Sequence, residues 1–247
     1  MNCYANSLKN CSNIQSKEHI ISKNIFEEKV FVQGFSWCLN EAKEISVSKA
    51  VAKLLCTKHN NSLSDYDTEA GKFFRFMNEF SEHDSQMKAR NYRFVENKKY
   101  NVNGLKLERW FVKTFLNIIF ANKKEYRDKI NLTYLLDVLY NEKNFEEPFG
   151  LNIMVRVGDK IKSKDSIFHT PVFDSTRKEI VGALFEFRGV KFLLKIPPKT
   201  VNSDGPVILL DEDLKDWDGL AGLWHQNRVQ MAIPNSKKIF QIIEFFW

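Results

Sequence analysis

The sequence predicts an α+β fold in which helices and most strands occupy different stretches of chain. Three observations carry that prediction. All six prolines lie beyond residue 147, and seven of the ten glycines lie at or beyond Gly150. Downstream of that shift, apolar residues come in short runs or alternate with polar ones, the period-two pattern of strands. Upstream, over 68–80, 105–122 and 131–140, they recur at helical spacing.

Taken in order, residues 1–67 hold short apolar stretches in KEHIISK (17–23) and VFVQGFSWC (30–38), of which the first is strand-like. TEAGKFFRFMNEF (68–80), LKLERWFVKTFLNIIFAN (105–122) and NLTYLLDVLY (131–140) form a helical region over 68–145. Asp67 and Asn131 stand where N-caps are expected, and Asn103-Gly104 breaks the chain before the second helix. In 146–247, strands are expected over 151–157, 166–173, 179–187, 190–196, 207–210 and 239–246, with Phe187-Arg188-Gly189-Val190 as a tight connection. A chain of 247 residues buries a proper core without disulfide staples.

No apolar run approaches the roughly 18 residues of a membrane span. MNCYANSLKNC offers no apolar stretch behind a basic one, so a cytoplasmic, reducing compartment is expected and the four cysteines are not read as disulfides. The net charge of +6 is unevenly spread. Residues 1–65 carry 8 basic and 6 acidic groups, 66–145 carry 15 and 11, and 146–247 carry 14 of each. The excess leans toward a polyanionic partner for the N-terminal part.

Cys3 and Cys11 form one pair of potential ligands, and Cys56 and His59, in LLCTKHNN, form a second. Three thiols and an imidazole suit a closed tetrahedral structural zinc. Cys38 remains over, in an apolar stretch where a small buried thiol is the simpler reading. Glu18-His19 lies between the two pairs, and Asn60-Asn61 follows His59 directly.

This order of elements resembles the HNH endonuclease superfamily, the ββα-metal nucleases, across about residues 3–67. Glu18-His19-Ile20 matches the acidic-His-aliphatic element at a strand end, and Cys56-Thr57-Lys58-His59-Asn60 matches the ligand pair that opens the last helix. The resemblance implies an N-terminal zinc-bound ββα-metal (HNH-like) unit over 1–67. It implies that His19 is the general base, and that Glu18 and Asn60 hold a catalytic Mg²⁺ or Mn²⁺ on the scissile phosphate of DNA, with RNA an open alternative. The sequence departs from the pattern in three places. The first pair is spread over seven intervening residues, His59 replaces a cysteine, and Val51 stands where the family's middle Asn braces the loop carrying the base. The segment 24–50 is long for the motif and is expected to add strands to the hairpin.

Elsewhere, QMKARNYRFVENKK (86–99) offers Lys88, Arg90, Arg93, Lys98 and Lys99 among aromatics as a nucleic-acid-tracking strip. DEDLKDWDG (211–219) lacks the ligand spacing of an EF-hand and reads as a solvated turn. His83, His169 and His225 have no local ligand partners. Two readings follow: a metal-dependent endonuclease, with restriction or antiviral defence as the roles the resemblance implies, or a catalytically inactive zinc-binding module that binds nucleic acid or protein. The C-terminal β region is expected to select substrate or a protein partner.

Overall fold

The computed structural model describes residues 3–26, 28–90, 99–122, 124–154, 165–199, 223–224, 228–232 and 240–247. The first strand, β1 (Glu18–His19), pairs antiparallel with β4 (Val51–Ala52), setting Glu18 opposite Ala52 and His19 opposite Val51. Helix α1 (Thr57–Asn61) follows, and the long α2 (Ser64–Arg90) continues from it. The order strand, strand, helix is therefore present, on a hairpin of minimal length.

Between those two strands the chain makes β2 (Lys29–Gln33) and β3 (Lys43–Ser46). These do not extend the hairpin, as 24–50 was expected to do. They join a seven-stranded sheet with β6 (Gly150–Met154), β7 (Ser166–Phe173), β8 (Ile180–Phe187), β9 (Val190–Lys195) and β10 (Leu223–Trp224). The order is β10-β6-β9-β8-β7-β2-β3, with β2 parallel to β7 and the other pairs antiparallel. The physical reason is pattern: Val30 and Val32 alternate inward on β2 and are buried, a face the two-residue hairpin has no room to cover. A second junction crosses the composition shift near 146–150. There β12 (Phe240–Phe246) lies between β11 (Arg228–Ala232) and, in parallel, β5 (Lys99–Asn103). The shift in proline and glycine content thus marks a change of local structure, while the sheets run across it.

Helix α3 (Gly104–Asn122) is apolar on nearly all sides and is buried accordingly. Trp110 and Phe111 pack on Phe187, and Phe111 also meets Phe185 and Phe192 on the sheet. The last helix, α4 (Leu132–Tyr140), begins at Asn131, whose side chain accepts from the Tyr134 N–H at 3.3 Å, the cap expected from sequence. Asp67 is not a cap. The helix starts at Ser64, and the Asp67 carboxylate turns to a stronger partner, the ammonium of Lys113. Gly34, at φ +90°, lies so close to β7 that a Cβ there would sit 1.8 Å from the His169 carbonyl oxygen.

Of the remaining expected strands, 207–210 lies outside the described residues, as do 155–157 and the acidic turn 211–219. The strand expected over 239–246 is β12.

Candidate metal centre and hairpin site

The four residues singled out as zinc ligands converge. Cys3, Cys11, Cys56 and His59 bring their ligand atoms within 4.8 Å of one another. His59 Nδ1 lies 3.5 Å from Cys3 Sγ, 3.6 Å from Cys11 Sγ and 3.3 Å from Cys56 Sγ. A tetrahedral zinc with bonds of about 2.3 Å to sulfur and about 2.05 Å to nitrogen has S···N edges of about 3.55 Å. The observed edges bracket that length, so the donor set fits the ion in size as well as in kind.

Local structure explains the convergence. Cys56 is the N-cap of α1, and its thiol accepts from the His59 N–H at 3.5 Å and the Ser12 N–H at 3.4 Å. The strand-like segment 14–16 is tied to this turn by Thr57 N–H to Ile14 O and Ser16 N–H to Leu55 O, both 2.9 Å. His59 Nε2 donates to Asn10 Oδ1 at 2.6 Å, which fixes the tautomer that leaves the Nδ1 lone pair facing the sulfurs. Asn10 is a functional residue the sequence reading missed. Burial opposes ionisation of Cys56, yet the N–H groups of His59 and Ser12 bring its thiol down to about 7. Burial, then the neighbouring Cys3 and Cys56, push Cys11 up to about 12. Cys11 thus resists ionising beside its neighbours, a conflict that a bound divalent ion would remove.

Behind this cluster the two catalytic candidates on β1 diverge, as adjacent strand residues must. Glu18 points inward and is 5% exposed, whereas His19 is only partly buried. The Glu18 carboxylate meets Lys113 Nζ at 2.7 Å and is also hydrogen-bonded by Asn60, whose amide nitrogen donates to Ser16 Oγ at 2.9 Å. Lys113 is itself 1% exposed and contacts both Asp67 oxygens, at 2.9 and 2.7 Å. Asp67 accepts a further hydrogen bond from Ser22 Oγ, which accepts from Trp110 Nε1 at 2.7 Å. Burial pushes the Glu18 carboxyl above its usual range, against the pull of Lys113. Glu18 and Asn60 therefore do come together, but Lys113, for which no role was expected, and Asp67, expected only as an N-cap, share the site.

Burial, then the positive charges of Lys23 and Lys113, hold His19 below its ordinary value of 6.5. Its backbone carbonyl accepts from Asn117 Nδ2 at 3.2 Å, and Asn117 Oδ1 accepts from Tyr4 O–H at 3.3 Å. Val51 is exposed opposite His19, so the bracing group comes from α3 and not from β4. Beside His19, a groove of about 590 Å³ opens between the hairpin and β3, lined by Ile20, Val51, Trp37, Phe35 and Lys49 among others.

The proposed nucleic-acid strip is described only at its end. Arg93 and Lys98 lie outside the described residues, as do the side chains of Lys88 and Arg90, while Lys99 forms an ion pair with Glu244 at 2.7 Å. His169 is buried beside Phe115 and Phe185, and Cys38 is buried. No described helix is long and apolar enough to cross a membrane. No family model matches the chain, and neither the curated proteins nor the solved structures contain a significant match.

Proposed function

We propose that the protein is an HNH-type nuclease that hydrolyses phosphodiester bonds in DNA, built on a structural zinc. The observation that carries the reading is the meeting of Glu18, from the strand, with Asn60, from the helix that the Cys3–Cys11–Cys56–His59 cluster anchors. His19 contributes an imidazole that is neutral at pH 7, because burial and Lys23 and Lys113 disfavour its protonation. A neutral ring accepts a proton from water, an effect of order 10²–10⁴-fold in rate. Asn117 holds the strand backbone that carries this ring and takes over the bracing that Val51 cannot supply.

The carboxylate oxygens of Glu18 and Asp67 form a hard donor pair already occupied by one cation, the ammonium of Lys113, with the Asn60 amide beside Glu18, and carboxylate oxygens suit Mg²⁺ or Mn²⁺. Such an ion supplies charge neutralisation at the phosphate. The groove beside His19 presents Trp37, 43% exposed, to a base and Lys49 to a backbone phosphate. Supercoiled plasmid incubated with the protein and Mg²⁺, Mn²⁺ or EDTA tests the reading. Nicking is expected in the metal arms, absent with EDTA, and abolished by His19→Ala without change in melting temperature. Retained cleavage by that variant removes His19 from the mechanism.

The second reading is a zinc-stapled binding module without catalysis. One observation favours it: Lys113 neutralises Glu18 where a catalytic ion would have to bind. Plasmid retardation with no nicking in any metal arm would select it.

A further inference from the structure

We propose that Lys113 is a built-in competitor for the divalent cation at Glu18, so that the cation enters only by displacing an ammonium group already held there. This rests on the HNH-type reading of the hairpin.

The ammonium makes three close contacts, 2.7 Å to Glu18 Oε1 and 2.9 and 2.7 Å to the Asp67 oxygens, which match its three donors. Two carboxylates around one ammonium leave a net charge of about −1, and exchange for a divalent ion brings the cluster to neutrality. Both cations cannot stay. An ion bonded to Glu18 at about 2.1 Å would lie within about 5 Å of Nζ, in a buried setting where like charges repel strongly.

The carboxylates around the ammonium have anchors besides it. Asp67 is held by Ser22, and Ser22 by Trp110, while Asn60 holds Glu18. Lys113 sits on α3, an element separate from both the hairpin and the zinc-anchored helix, and reaches the site by a flexible four-carbon stem. Withdrawal of that stem leaves two carboxylates facing the space the ammonium held. The Lys113 side chain, seated between the two carboxylates, thus sets a threshold concentration for the divalent ion.

The experiment is a Mn²⁺ titration of the full-length, zinc-loaded protein, with free Mn²⁺ read by electron paramagnetic resonance. Wild type, Lys113→Met, Glu18→Gln and the double variant are compared. Lys113→Met keeps an unbranched apolar stem and deletes the charge. It is expected to bind Mn²⁺ at least tenfold more tightly than wild type, and Glu18→Gln is expected to abolish that binding in both backgrounds. Should Lys113→Met melt too low for titration, Lys113→Gln, which retains donors to both carboxylates, is read the same way. Unchanged or weaker binding without the ammonium, with the site still lost in Glu18→Gln, overturns the competitor role and leaves the nuclease reading standing. Absence of any Glu18-dependent Mn²⁺ binding in all four proteins overturns both.

Discussion

Replacement of Cys56 by serine tests the zinc centre at its most connected ligand. Cys56 caps α1, accepts two backbone N–H groups and faces the His59 ring, so the substitution breaks the tetrahedral set while leaving a hydroxyl to cap the helix. A bound ion would tie Cys3 to His59, 56 positions apart in sequence. Closing a loop of about that length by a cross-link removes roughly 4 kcal/mol of chain entropy from the unfolded state. For a chain of this size about 1 kcal/mol corresponds to 2–4 °C, so the melting temperature should fall by roughly 8–16 °C. Purified wild type should carry one zinc per chain by mass spectrometry, and Cys56→Ser none. Asn10→Ala grades the effect, since loss of the partner that orients His59 weakens metal affinity about 10–100-fold in comparable sites. If wild type purified under reducing conditions contains no zinc, and Cys56→Ser melts within a degree or two of it, the metal centre is refuted.

Three further outcomes are expected. The depressed pKa of His19 places the acid limb of the nicking rate against pH below 6.5, with activity lost as the ring protonates; a midpoint above 6.5 contradicts the burial that lowers it. The same shift makes folding stability rise with pH up to about 6.5 and then level off, because the unfolded chain binds that proton more readily. Asn117→Ala removes one hydrogen bond from the Tyr4 hydroxyl, which keeps Tyr140, and one from the His19 carbonyl, a cost of about 1–3 kcal/mol for the two by urea denaturation, and should lower the nicking rate more than it weakens plasmid binding. Gly34→Ala introduces a Cβ 1.8 Å from the His169 carbonyl in a left-handed backbone, and should cost more than about 2 kcal/mol by the same measurement.

The sequence showed the Cys3, Cys11, Cys56 and His59 cluster because these residues come as two local pairs of metal-binding types, and a tetrahedral site needs only those atoms. It showed α3, α4 and β7 to β9 because each is a run with one dominant period. It did not show where β2 would pair. Val30 and Val32 announce a buried face, but the parallel partner, β7, begins 133 positions beyond Gln33, at Ser166, and nothing local encodes that distance. Lys88, Arg90, Arg93 and Lys98 illustrate a different limit, since a basic run carries charge but no geometry. Lys113 was not legible locally. It lies with Asn117 four positions on and with Lys106 and Arg109 before it, a stripe that at helical spacing reads as a solvated face, and only the buried Glu18 and Asp67 it meets from other elements show that the stripe turns inward.

That helix also explains how so short a hairpin can be held. β1 and β4 contribute two residues each, far too few to be stable alone. One face of α3 supplies what they lack: Trp110 reaches Ser22, Lys113 reaches Glu18 and Asp67, and Asn117 reaches the His19 carbonyl. The three positions are spaced three and four apart, so they lie on one stripe. Their opposite neighbours, Phe111 and Phe115, face the large sheet through Phe185 and His169. Anything that moves α3 relative to the sheet therefore moves Lys113 and Asn117 together, changing the charge beside Glu18 and the support behind His19 in one step. The Cys3–Cys11–Cys56–His59 cluster lies on the other side of the hairpin, so the site lies between four converging metal-binding side chains and one helix packed on the sheet.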